Sequence, residues 1–106
     1  SVITLGELHK GVSKLPDSAR RDRLATWIGR DLARRFEGRI VSFDARVAEA
    51  WGRLQGAAAR RGQALPVLDS QLAATARVHD LVVVTRNVDD LERCGADVVN
   101  PWAQKP

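Results

Sequence analysis

The stretch LVVVTRNVDDLE, residues 81–92, changes character abruptly at Thr85. The aliphatic run at 81–84 shows no alternation of polar and apolar residues, which is typical of a strand buried on both faces of a parallel sheet. Arg86, Asn87 and the acids of the VDDLE segment follow it directly. Acidic side chains therefore collect where a core strand is predicted to end, in a chain whose formal net charge is +4.

Before this strand, the sequence alternates between helical and extended patterns. Val2 and Ile3 are predicted to end a strand, and Thr4 with Glu7 forms a capping box that would open the first helix. Apolar residues at every fourth position from 24 to 36 predict a long amphipathic helix, which begins at Asp17 or Ser18 and stops at Gly38.

The segment RIVSF, residues 39–43, is predicted to be a strand. Asp44 would cap the next helix, whose apolar stripe is Val47, Trp51, Leu54 and Ala58. Asp69 would open an alanine-rich helix before the 81–84 strand, and ADVVN would supply the last strand. This alternating order predicts one α/β domain over residues 1–106 with a mainly parallel sheet.

Bulk composition narrows the class of protein. Hydrophobic residues make up 44% and charged residues 28% of the chain, as is ordinary for a globular protein. No apolar run approaches the ~20 residues of a membrane span, and no export signal opens the chain, so we expect a cytoplasmic location without a membrane partner. Cys94 is the only cysteine, which excludes a disulfide and a cysteine-based zinc site within this chain.

Arginine dominates the basic residues, because only three of the seventeen are lysines. The planar guanidinium suits phosphate groups, so the charge is compatible with a nucleic-acid partner. Many of these arginines, such as Arg20 and Arg34, lie on predicted solvated helix faces, so the excess of arginine also fits an ordinary exposed surface.

Three carboxylates are the main candidates for chemistry. Ligands of open α/β sheets collect where the strands end; Asp90 follows the 81–84 strand, and Asp69 begins the helix before it. Glu7 sits in a helix that follows the predicted strand remnant. If the strands are parallel neighbours, these acids share one edge and form an oxygen site suited to Mg²⁺ or Mn²⁺. Such an ion offsets the repulsion between carboxylates and activates water for phosphodiester hydrolysis.

Each candidate also has a purely structural interpretation. Glu7 completes a capping box, and Asp69 can act as an N-cap. Asp90 and the neighbouring acids suit the first turn of a helix through its dipole. Thr85 and Asn87 are weak hints, since any loop can hold them.

Four segments together resemble the PIN-domain ribonucleases, in particular toxins of the VapC and FitB kind: SVITLGELHKGV, GRIVSFDARVAEAW, LPVLDSQLAATARVHDLVVVTRNVDDLE and VVNPW. The resemblance runs from Ser1 to Trp102, and its most specific part pairs D-S-x-L-A-A-T-A with T-R-N-x-x-D. It implies a three-layer α/β/α fold and Mg²⁺- or Mn²⁺-dependent endonucleolytic cleavage of RNA. It also implies a homodimer and silencing by an antitoxin, through which alone operator DNA would be contacted.

By resemblance, Glu7, Asp69 and Asp90 match the metal-binding catalytic acids. Thr85 and Asn87 would line the same pocket, and Arg86 would contact RNA. Some relatives carry an acid at position 87, which leaves the fourth ligand open.

The family begins with a strand that ends in a further metal-binding Asp. Residues 1–106 do not include this strand or its Asp. We therefore expect a PIN-like domain truncated at its N-terminus, in which the missing ligand would weaken metal binding and, with it, activity. The alternative function is a non-catalytic PIN-like module that binds RNA or protein. A nucleotide-binding domain is disfavoured because no G-x-x-x-x-G-K-S/T loop occurs.

Overall fold

The computed structural model describes residues 1–102, which form two compact units. The first unit is Ser1–Ser42, and the second begins at Phe43. No helix in the described range is long and apolar enough to cross a membrane.

Helix α1 of the first unit covers Val2–Ser13. Its N-cap is Ser1, whose hydroxyl accepts a hydrogen bond from the Ile3 N–H at 3.0 Å. The predicted strand end at positions 2 and 3 is therefore wrong, and so is the capping box of Thr4 and Glu7. The helix begins earlier because Ser1 supplies the side-chain oxygen that satisfies its first turn.

The long helix predicted next is present but irregular. Helix α2 (Ala19–Thr26) continues as a π-helical segment (Trp27–Leu32) and ends as a short helix α3 (Ala33–Arg35). Ser18 caps α2 by accepting from the Arg21 N–H at 3.1 Å. Gly38, with φ of +79°, follows the end of this helix, as predicted.

The segment 39–43 is not a strand, which corrects the prediction. β-branched residues favour a strand only when a neighbouring strand can complete the hydrogen-bond ladder. Within the first unit, the Val41 carbonyl instead accepts from the Val2 N–H at 2.9 Å.

The second unit contains the main helical pair. Helix α4 (Ala45–Arg60) is capped by Asp44, as predicted, through a 3.0 Å hydrogen bond from the Val47 N–H. Helix α5 (Val67–Val78) packs against it. The small side chains of Ala58 and Ala73 are fully buried, which lets the two helices approach closely.

A short parallel sheet follows α5. Strand β1 (Val83–Val84) pairs with β2 (Val98–Val99), and helix α6 (Val88–Arg93) connects them. The parallel pairing is as predicted, but burial of β1 on both faces is wrong, because Val84 is 65% exposed. Strand β2 covers β1 along one side only in the described part of the chain.

Candidate functional site

Polar side chains gather at the carboxyl edge of the parallel sheet. Thr85, Arg86 and Asn87 follow β1, and Asn100 and Trp102 follow β2. The main chain joins the two strand ends through a 3.0 Å hydrogen bond from the Thr85 N–H to the Val99 carbonyl. The hydroxyl of Thr85 also accepts from the Asn87 N–H at 3.0 Å, which fixes the turn that leads into α6.

Asp69 reaches this edge from the beginning of α5. The helix begins at Val67 with Pro66 at the N-cap position, so Asp69 lies in the first turn and the N-cap interpretation is wrong. Its carboxylate accepts a hydrogen bond from Nδ2 of Asn87 at 3.3 Å. Two predicted site residues, 18 positions apart, are thus in contact.

Asp90 lies in the first turn of α6, one helical turn beyond Asn87. It is half-buried, and its carboxylate forms an ion pair with Arg93. Asn87 occupies the N-cap position of α6 but makes no side-chain capping bond, and its Nδ2 donates to Asp69. The first-turn position also agrees with the helix-dipole interpretation of Asp90.

The buried thiol of Cys94 is close to both acids. Burial is the main cause that raises the pKa of Cys94, and the negative charge of Asp69 raises it further. Arg93 opposes this effect and Asp90 adds to it. Asp69 and Asp90 therefore act electrostatically on one common group inside the second unit.

Glu7 belongs to α1 of the first unit, where it is exposed. Its place beside the other two acids stays a prediction. Among residues 1–102, no group of three or more His, Cys, Asp or Glu side chains is arranged to hold a metal ion.

The donors at the sheet edge nevertheless suit a hard cation. Asp69, Asn87 and Asp90 offer carboxylate and amide oxygens, which are the ligands of Mg²⁺ and Mn²⁺. Protein sites for Mg²⁺ commonly use one or two carboxylates and leave the other positions to water and substrate phosphate.

Sequence reasoning missed Ser70, the fully buried residue beside Asp69. Its hydroxyl accepts from Nε1 of Trp51 at 2.9 Å and from Nε2 of Gln55 at 2.8 Å, and donates to the Val67 carbonyl at 2.7 Å. These bonds attach the first turn of α5 to α4 and so fix the backbone that carries Asp69. A serine within an alanine-rich helix was the available signal.

Trp102 was also missed, although the VVNPW segment was part of the resemblance. The indole is 62% exposed, and the guanidinium carbon of Arg86 lies 4.4 Å from its ring centroid. The Trp102 N–H donates to the Asn100 side chain at 3.0 Å, which fixes the turn after β2. A cation–π pair thus borders the acidic edge.

Comparison with known proteins identifies the family. The PIN domain model matches residues 1–96. VapC ribonuclease Y4jK of Sinorhizobium fredii is 30% identical and toxin FitB of Neisseria gonorrhoeae 32% identical, each over 96% of this chain and 73% of the relative. The structure of FitAB bound to a DNA fragment superposes with a TM-score of 0.86 at 29% identity, covering 98% of this chain and 73% of that one. These matches confirm the resemblance and the predicted α/β/α PIN-like fold class. The chain belongs to the PIN-domain family.

Proposed function

We propose that this protein is a Mg²⁺- or Mn²⁺-dependent endoribonuclease and the toxin of a toxin–antitoxin pair. Family membership and similarity to a VapC ribonuclease and to toxin FitB support the proposal. The observation that carries it is the contact between Asp69 and Asn87 at the carboxyl edge of a parallel sheet, with Asp90 one turn away.

In this proposal, Asp69 and Asp90 hold the metal ion. Glu7 is a further ligand on the strength of the family resemblance alone. The bound ion would neutralise phosphate charge and lower the pKa of a water molecule. Asn87 orients the Asp69 carboxylate, and Thr85 fixes the turn that presents Asn87.

Arg86 and Trp102 provide the proposed contact with RNA. The Arg86 guanidinium packs against the indole and carries positive charge beside the acidic edge. An exposed aromatic ring stacks on any base, because every base has a π-face. Binding of RNA here would therefore depend little on sequence.

The proposed assembly follows the family. The FitAB structure suggests a protein antitoxin as partner, with operator DNA contacted only through it. We also propose a homodimer in the cytoplasm. Both compact units would belong to one PIN domain, since one family model spans residues from each.

Cleavage assays on the full-length protein test the enzyme directly. Wild-type protein should cut single-stranded RNA with Mn²⁺ and stop in EDTA, whereas Asp69→Asn and Asp90→Asn should remain inactive with the metal. Asp97→Asn is the matched control, because exposed Asp97 precedes β2 at the opposite end of the sheet. Cleavage that ignores both the metal and the two substitutions would contradict the proposal.

A non-catalytic PIN-like module that binds RNA or protein is the second candidate. The ion pair between Asp90 and Arg93 favours it, because Arg93 already balances the charge of a proposed ligand. This candidate predicts that the full-length protein binds RNA and leaves it intact with Mn²⁺.

A further inference from the structure

A groove of about 580 Å³ lies within the second unit, lined by residues of α4, of α5 and of the end of α6. Four arginines line it, and none of its lining residues is acidic: Arg53, Arg61, Arg77 and Arg93. Leu54 and several alanines form an apolar floor. The groove thus combines a concave surface with concentrated positive charge.

Two of these arginines already have acidic partners. Arg53 pairs with Glu49 and Arg93 with Asp90. Arg61 and Arg77 form no salt bridge with any carboxylate in residues 1–102. Their charges remain to be balanced by a ligand or by solvent ions.

The backbone at Gly95 makes room for Arg77. Gly95 has φ of +84°, and a Cβ atom built on it would lie 2.8 Å from Nη1 of Arg77. A glycine at this position therefore serves both the turn before β2 and the close approach of the guanidinium. Arg77 and Gly95 both line the groove.

We propose that this groove binds the sugar–phosphate backbone of single-stranded RNA outside the acidic edge. The inference rests on the proposed function, which makes RNA the ligand. Guanidinium groups bind phosphate through paired hydrogen bonds, whereas carboxylates repel every phosphate that no metal ion neutralises. Asp69 and Arg77 lie eight residues apart on α5, about 12 Å along the helix, so Arg77 would meet phosphates beyond the one at the acidic edge.

If the groove arginines had a purely structural role, their loss would affect helix stability and not RNA binding. Arg77 and Arg93 lie in the last turns of α5 and α6, where positive charge offsets the helix dipole. Arg60 has the same position in α4 but does not line the groove. Replacement of Arg60 therefore reproduces the loss of charge at a helix end without changing the groove.

The test measures how RNA affinity depends on salt. The full-length protein is titrated in EDTA, so that no cleavage occurs, against a fluorescein-labelled single-stranded oligouridylate. The test variant is Arg61→Gln/Arg77→Gln, and the control is Arg46→Gln/Arg60→Gln, which removes the same charge from exposed positions on α4. Two lost phosphate contacts should reduce the slope of log K against log salt by about 1.4, while the control keeps the wild-type slope. Thermal unfolding of both variants separates RNA contacts from helix stability.

Equal slopes for the two double variants, or no RNA binding by the wild-type protein, would overturn the inference. A poly-glutamate peptide is titrated in parallel. If its binding, and not that of RNA, requires Arg61 and Arg77, the groove is a site for an acidic peptide and the inference is wrong. Because no cleavage is measured, a failure of the proposed enzyme would appear separately, in the Asp69→Asn assay.

Discussion

Replacing Ser70 with alanine should loosen the turn that presents Asp69. The Ser70 hydroxyl uses its full hydrogen-bonding capacity, since it accepts from Trp51 and Gln55 and donates to the Val67 carbonyl. Alanine keeps the helix but removes all three bonds. The substitution is therefore a clean probe of the connection between α4 and α5.

The expected loss of stability depends on which hydrogen-bond partners of Ser70 are left unsatisfied. A typical hydrogen bond contributes about 0.5–1.5 kcal/mol, and an unsatisfied buried group costs about 1–3 kcal/mol. The indole N–H of half-buried Trp51 loses its acceptor, whereas the Gln55 amide keeps the Leu65 carbonyl at 3.4 Å. Alanine's better helix propensity returns roughly 0.5 kcal/mol. We expect Ser70→Ala to lower the free energy of unfolding by about 2 kcal/mol.

Urea unfolding followed by tryptophan fluorescence measures this change. Ser42→Ala, at an exposed position, is the matched control and should stay within about 0.5 kcal/mol of wild type. A double-mutant cycle with Trp51→Phe should give a coupling energy of about 1 kcal/mol. A Ser70→Ala protein as stable as the control, with no coupling to Trp51, would refute the hydrogen-bond network as the reason.

Three further predictions concern the second unit. Gly95→Ala should destabilise the protein by about 1–2 kcal/mol in urea unfolding, because alanine disfavours a positive φ. Gly52 lies in α4 with open space around it, so Gly52→Ala should stabilise the protein by about 0.5–1 kcal/mol. Folding raises the pKa of Cys94, so the thiol of the unfolded protein loses its proton at a lower pH than that of the folded protein. The free energy of unfolding should therefore fall as pH rises above about 8.5. A Cys94→Ala variant that keeps the same alkaline slope would contradict this. Trp102→Ala should weaken single-stranded RNA binding by about 1–3 kcal/mol in fluorescence anisotropy; unchanged affinity would exclude base stacking there.

Sequence signals correctly predicted helix ends that depend only on neighbouring residues. The Asp44 cap and the stop at Gly38 are visible in sequence because each acts on its own helix end. The start of α1 was misplaced because Ser1 and the Thr4–Glu7 pair are both good capping signals, and local chemistry does not rank them. The strand predicted at 39–43 failed because a strand requires a partner that no local pattern reveals.

For the candidate site, sequence indicated which residues to consider and only some of their contacts. The motifs identified Asp69 and Asn87, which meet because the first turn of α5 lies beside the turn after β1. The ion pair that engages Asp90 depends on the rotamer of Arg93, which sequence does not specify. Ser70 was missed because its role appears only when α4 lies beside α5.

Mn²⁺ binding to the full-length protein, measured by electron paramagnetic resonance, tests most directly whether Asp69 and Asp90 share one cation. Asp69→Asn and Asp90→Asn should each weaken binding at least about tenfold, and the double variant should bind more weakly than either single variant, because each acid supplies a ligand to the same ion. Asp97→Asn should bind Mn²⁺ as the wild type does. Wild-type affinity in both Asp69→Asn and Asp90→Asn would contradict the metal site and, with it, the proposed nuclease.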